Sequence, residues 1–143
     1  MKMFLKQFLL LGGFYFVISF LFSFFPEQAV FIVGNILLFS WVVLFVILCF
    51  KKSFVFLTNF QNKYPKSSLY LMSLGIIDYA GIVFFTVLGG IDGYMATMAG
   101  YKEEEYNGIL SQYGESVFMV YVAASILVLL WATYVNFIKK KNT

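Results

Sequence analysis

Residues 69–89 read LYLMSLGIIDYAGIVFFTVLG, an apolar run with a single carboxylate, Asp78, near its middle. About 20 apolar residues suffice to carry a helix across roughly 30 Å of hydrocarbon. The run is rich in aromatic and β-branched residues, which favour strands in water. In lipid, an open strand would leave its main-chain N–H and C=O groups unpaired, so the segment is predicted to be a helix. A transmembrane barrel would need alternating segments of about ten residues, and this stretch does not alternate. Three other stretches have the same character, over about 4–25, 30–50 and 116–138. The expectation is an all-α integral membrane four-helix bundle of two hairpins, forming a single transmembrane domain over 1–143.

Composition agrees. Hydrophobic residues make up 62% of the 143 and charged residues 12%, against about 45–50% and about 25% in soluble domains. All 10 basic residues are Lys; the chain contains neither Arg nor His. Without His there is no imidazole base and no His-ligated metal or haem. Without Arg there is no bidentate clamp for phosphate or carboxylate. The single cysteine, Cys49, can form neither an internal disulfide nor a cysteine metal site. No cofactor or metal is expected. Nor is nucleic-acid binding, because the Lys residues gather at the ends of the apolar runs and not on one readable face. The abundance of Lys, Phe, Ile and Asn points to an AT-rich bacterial genome and hence to a bacterial cytoplasmic membrane.

Lys2 and Lys6 resemble the basic start of a signal peptide, but the apolar run after them is too long and no small-residue cleavage site follows. The first span is therefore expected to be retained. Orientation follows the distribution of Lys. With the N-terminus inside, the inner side holds Lys2, Lys6, Lys51, Lys52, Lys63, Lys66 and Lys139–Lys141 and no acid, while Glu27, Asp92, Glu103–Glu105 and Glu115 lie outside with Lys102. Both ends are thus expected in the cytoplasm.

The connections differ in kind. PEQA (26–29) is expected to be a tight outer turn. The cytoplasmic loop 51–68 spaces Phe54, Leu57 and Phe60 three apart among lysines, so it either continues the second helix or forms a short interfacial one, ended by Pro65. The extracytoplasmic loop 90–115 has room for a short helix over 95–110, broken at Gly100 or Gly108. NILLFSW (35–41) and SILVLLW (125–131) align at their Ile, Leu and Trp, a weak similarity that chance explains better than duplication in so apolar a chain.

Asp78 is the strongest chemical signal. A carboxylate at mid-membrane depth is costly and marks either a relay or polar glue between helices. Gly75 and Gly81 flank it at i−3 and i+3, where small residues admit a neighbouring helix. Counting depth along the other spans brings Tyr15, Ser40 and Ser125 to its level. No Lys can reach it there. Asp78 is therefore expected to carry its proton and to hydrogen-bond across helices within this cluster, as glue in preference to a relay. In the outer loop, Tyr101, Glu103, Glu104, Glu105 and Tyr106 could meet a basic partner. Adjacent acids lack the spaced oxygens of a calcium loop, so a solvated acidic loop is the simpler reading.

An enzyme is not expected. Intramembrane aspartyl chemistry needs two carboxylates, and serine chemistry would lack its base. The expected function is protein–protein interaction, as an accessory subunit of a membrane complex or a protein of the toxin-immunity type. Its partners would be the lipid bilayer together with another membrane or secreted protein or a second copy. The alternative is an oligomeric ion or proton channel or carrier subunit that uses Asp78.

Overall fold

A computed structural model of the chain describes residues 2–100 and 108–139. Among these the structure is helical, with no strand. The helices are α1 (Lys2–Phe22), α2 (Glu27–Lys51), α3 (Val55–Lys63), α4 (Pro65–Met98) and α5 (Ile109–Thr133), and α5 runs into a π-helical turn, Tyr134–Ile138. Four of them (α1, α2, α4 and α5 with its π-turn) are long and apolar enough to cross a membrane.

The principal packing order is α2–α1–α4–α5, and the most extensive interface is that of α1 with α4. It is a backbone-to-backbone contact. A Cβ placed on Gly13 would strike the main-chain carbonyl of Leu71, and one on Gly75 would strike that of Leu9. Without side chains at these points the two helices meet closely, as small residues allow between helices of membrane-spanning length. Leu10 and Leu11 are buried on the same stretch.

The ends of the elements have local causes. The α1–α2 turn lies at 23–26, earlier than the expected 26–29, because Pro26 caps α2 and leaves Glu27 in its first turn, where an acid complements the helix dipole. Between the two readings of 51–68, the structure shows a separate helix. Lys52 takes a left-handed conformation, φ 63°, and its N–H closes α2 on the Leu48 carbonyl at 2.7 Å. Gln7, fully buried on α1, then fixes the start of α3. It accepts the Phe54 N–H at 3.3 Å and donates to Thr58 Oγ1 at 3.2 Å. Leu57 is buried beneath α3, and Pro65 stands at the first position of α4, where its missing N–H costs nothing.

The outer connection departs from expectation. Of the stretch expected to carry a separate short helix, residues 95–98 belong to α4 and residues 109–110 to α5. Helix α4 continues through Gly89, Gly90 and Gly93 to Met98, a helix of 34 residues that is about 51 Å long at 1.5 Å per residue and so outreaches the hydrocarbon. Gly100 lies in the turn that follows, with a φ of 77°, a conformation that glycine adopts without strain. The acid-rich segment 101–107 lies outside the described residues, as therefore do Tyr101, Glu103, Glu104, Glu105 and Tyr106.

Candidate functional site

Asp78 lies on α4, half-buried, and lines a cavity of about 550 Å³ between α1, α2 and α4. The cavity wall includes Phe8, Tyr15, Leu38, Trp41 and Tyr79. Among the described residues Asp78 is the one charged side chain that lines it. The cross-helix hydrogen bond expected of Asp78 is not formed: its carboxylate has no hydrogen-bond partner among the described residues, while Tyr79 pairs with Trp41 and Tyr15 with Ser40.

Those pairs organise the wall. Tyr79, next in sequence to Asp78, donates to the Phe8 carbonyl at 3.0 Å and accepts from Trp41 Nε1 at 3.1 Å. Its ring stacks on that of Phe8 with centroids 4.2 Å apart, and Trp41 stacks on Phe45 at 5.3 Å. Gly12 makes this possible, since a Cβ there would run into the Tyr79 ring. Helices α1 and α2 thus hold one tyrosine of α4 through its hydroxyl, as donor and as acceptor, and through its flat face. Farther along, Tyr15 and Ser40 share a hydrogen bond of 2.7 Å, and Ser40 Oγ also bonds the Leu37 carbonyl within its own helix at 2.9 Å.

The residues picked out from sequence therefore divide into two groups. Tyr15 and Ser40 meet beside the cavity that Asp78 lines. Ser125 lies on α5 and donates to the Tyr121 carbonyl at 2.8 Å, outside that wall. Gly75 and Gly81, chosen as one helix-packing face, serve two different neighbours. Gly75 receives α1, whereas Gly81 receives the Tyr121 side chain of α5. Tyr121 in turn donates to the Ile77 carbonyl at 2.6 Å. This places Asp78 between two contact lines of α4.

Sequence reasoning passed over Tyr79, Tyr121, Gln7 and the Gly12–Gly13 pair. A signal existed for some of them. Gln7 is a polar residue inside an apolar span, and paired glycines in a membrane helix invite a close neighbour. The pairing of Tyr79 with Trp41 has no sequence signature, because it joins residues 38 apart.

A second polar feature lies at the far end of α4. Both carboxylate oxygens of Asp92 accept N–H groups from the start of α5, Ile109 and Leu110, each at 2.8 Å. Gly108 leaves room for the carboxylate. The first N–H groups of any helix lack partners in that helix, and here an acid on the preceding helix supplies them.

Comparison of the chain with known protein families, with curated proteins and with solved structures gives no match.

Proposed function

We propose that the chain is a non-enzymatic integral membrane protein that crosses the bilayer four times with both ends in the cytoplasm, and that it works through the Asp78 cavity as a subunit of an oligomeric channel or carrier for a positively charged solute. One observation carries this reading: the carboxylate borders a cavity and has no hydrogen-bond partner, where a purely structural acid would be tied to a neighbouring helix. Four spans are few for a carrier, so the working unit is an oligomer. Lys51, Lys52, Lys63 and Lys66 fix the inner face, and α3, with Val55 and Phe56 exposed beside these lysines, lies in the interface. On a Cys49→Ser background, which removes the chain's own free and exposed cysteine, single cysteines introduced as Lys141→Cys and Glu103→Cys test the topology: the first should react only from the cytoplasmic side and the second only from outside. Function is tested by proton, potassium and tetraphenylphosphonium flux into liposomes carrying the protein or its Asp78→Asn variant. Equal flux from both, or none from either, ends this reading.

A second reading has its own support. It is that of an accessory or toxin-immunity-type protein that binds a membrane or secreted protein. α2 packs principally on α1, and Phe31, Phe39 and Phe50 project from it with 73%, 73% and 84% of their surface free. Together with the acidic, tyrosine-rich sequence of residues 101–106, this would give a partner both apolar and charged groups to recognise. Replacing 101–106 by a glycine–serine linker should weaken partner capture; capture at full strength would sink this alternative.

A further inference from the structure

The make-up of the Asp78 cavity says more about its occupant than that it is positive. We infer that the cavity binds a lipophilic organic cation, an amine or quaternary onium centre carried on an apolar body. The inference rests on the reading of this cavity as the working site and narrows its ligand. The volume, about 550 Å³, falls within the range of small-molecule sites, roughly 300–1,000 Å³. Its lining is almost wholly apolar, with one carboxylate and the rings of Phe8, Trp41 and Tyr79. A bare metal cation fits poorly, since calcium, for example, takes about 6–8 oxygen ligands. Among the described residues no group of three or more His, Cys, Asp or Glu side chains gathers anywhere. An onium ion needs no such shell. Its charge is spread over carbon, it is attracted to aromatic faces within about 6 Å, and a single carboxylate balances it.

The wall is also held in place before any ligand arrives. Tyr79 is fixed through its hydroxyl to Phe8 and Trp41, so binding spends little on ordering the rings. No lysine lines the cavity to compete for Asp78. Gly34 lines it from α2, and a Cβ there would meet nothing within 4 Å. A side chain at this position would therefore occupy the space without disturbing the helix contacts.

That glycine makes the inference testable apart from the charge. The chain has 2 tryptophans; Trp131→Phe leaves Trp41 as the sole reporter inside the site. The purified protein on this background, in detergent, is titrated with tetraphenylphosphonium and separately with uncharged triphenylphosphine oxide. The expected result is a saturable change in Trp41 emission with the cation and a much weaker one with the oxide. Asp78→Asn should weaken cation binding on the order of tenfold or more, and Gly34→Leu should abolish it while the far-UV circular dichroism stays that of the parent. Equal binding of cation and oxide, or undiminished cation binding by Asp78→Asn, would show an apolar groove for acyl chains and overturn the inference. Undiminished binding by a folded Gly34→Leu variant would place the ligand elsewhere and also overturn it. The outcome is separable from the transport reading. Cation binding without any flux removes the carrier and keeps the site, while Asp78-dependent flux without tetraphenylphosphonium binding does the reverse.

Discussion

The two hairpins are built from the same few residue types yet held together differently. The α4–α5 hairpin is tied along its length by polar bonds. Asp92 caps α5 at one end, Tyr121 reaches the Ile77 carbonyl in the middle, and at the other end Tyr70 pairs with Thr133 at 2.7 Å while Asn136 donates to the Lys66 carbonyl at 3.1 Å. Lys66 also sits over the Phe137 ring, 4.5 Å from its centroid. The α1–α2 hairpin has one such tie, Tyr15 to Ser40, and otherwise relies on aromatic contacts of Phe8 with Trp41 and Phe45. The cavity opens along this second hairpin. In lipid, apolar side chains gain little by leaving the solvent, so a helix pair without polar ties or small-residue contact has little to close it. The firmly tied hairpin acts as a frame, and the loosely tied one leaves room for a ligand.

The contrast breaks most completely at the α1–α4 crossing that joins the hairpins. Gly75→Val places a branched side chain against the Leu9 carbonyl, and a main-chain atom cannot swing aside. Overpacking of this kind costs about 1–3 kcal/mol and sometimes more, and the upper end is expected. Thermal unfolding in detergent should show the largest loss of any single change discussed, together with loss of the Trp41 environment as α2 follows α1 away from Tyr79. An unchanged midpoint would mean that the crossing contributes nothing.

How much of this was legible in the sequence follows from what each feature depends on. The four membrane-length helices needed only local information, the length and apolarity of each run. The ends of α4 were misjudged because hydropathy marks where a span leaves the lipid and not where the helix stops. The helix runs on through Gly89, Gly90 and Gly93, which read as a loop, to Met98. Asp78 was found because a charge in an apolar run is visible by itself, and Tyr15 and Ser40 were reached by counting depth. The direction in which a side chain is turned is not contained in depth. Ser125 lies at a plausible height but on α5, where its hydroxyl donates to the Tyr121 carbonyl of its own helix. Beside Asp78, Tyr79, Trp41 and Phe8 bond one another and not the carboxylate, a three-helix arrangement that no single span reveals.

The next change tests the frame at its outer end. Asp92→Ala removes both acceptors for the Ile109 and Leu110 N–H groups. Loss of a capping side chain costs roughly 0.5–2 kcal/mol; a loss of about 1–2 kcal/mol is expected here because two N–H groups lose their partner. Hydrogen exchange should rise at the start of α5 and stay unchanged in α1 and α2. Exchange that rises equally in both hairpins would deny the frame its independence.

A smaller difference separates Tyr121→Phe from Tyr15→Phe. Each deletes one hydroxyl, and a cross-helix hydrogen bond in lipid is worth about 0.6–2 kcal/mol. Tyr121 leaves the Ile77 carbonyl with one acceptor site empty, yet its ring keeps contact with Phe85, whose centroid lies 5.5 Å away. A loss near 1 kcal/mol is expected. Removing the Tyr15 hydroxyl frees Ser40, which still has the Leu37 carbonyl to bond, so only a few tenths of a kcal/mol should be lost. Equal losses would contradict the claim that polar bonds hold one hairpin together and contribute little to the other.

The smallest effect should run in the opposite direction. Gly34 stands within α2, facing the cavity with no atom near its absent Cβ. Glycine in a helix interior is disfavoured relative to alanine by about 0.8–1.0 kcal/mol in peptides, and lipid already penalises any unfolding of the span, which reduces that difference. Gly34→Ala should therefore stabilise by a few tenths of a kcal/mol, while Gly75→Ala, the same chemical change, destabilises. If both glycines responded alike, the distinction between a glycine that admits a helix and a glycine that leaves a cavity would fail, and with it the physical basis for a preformed site beside Asp78. Opposite signs from one substitution at two positions would show that α1 meets α4 because side chains are missing there, and that α2 leaves the space beside Asp78 unfilled for the same reason.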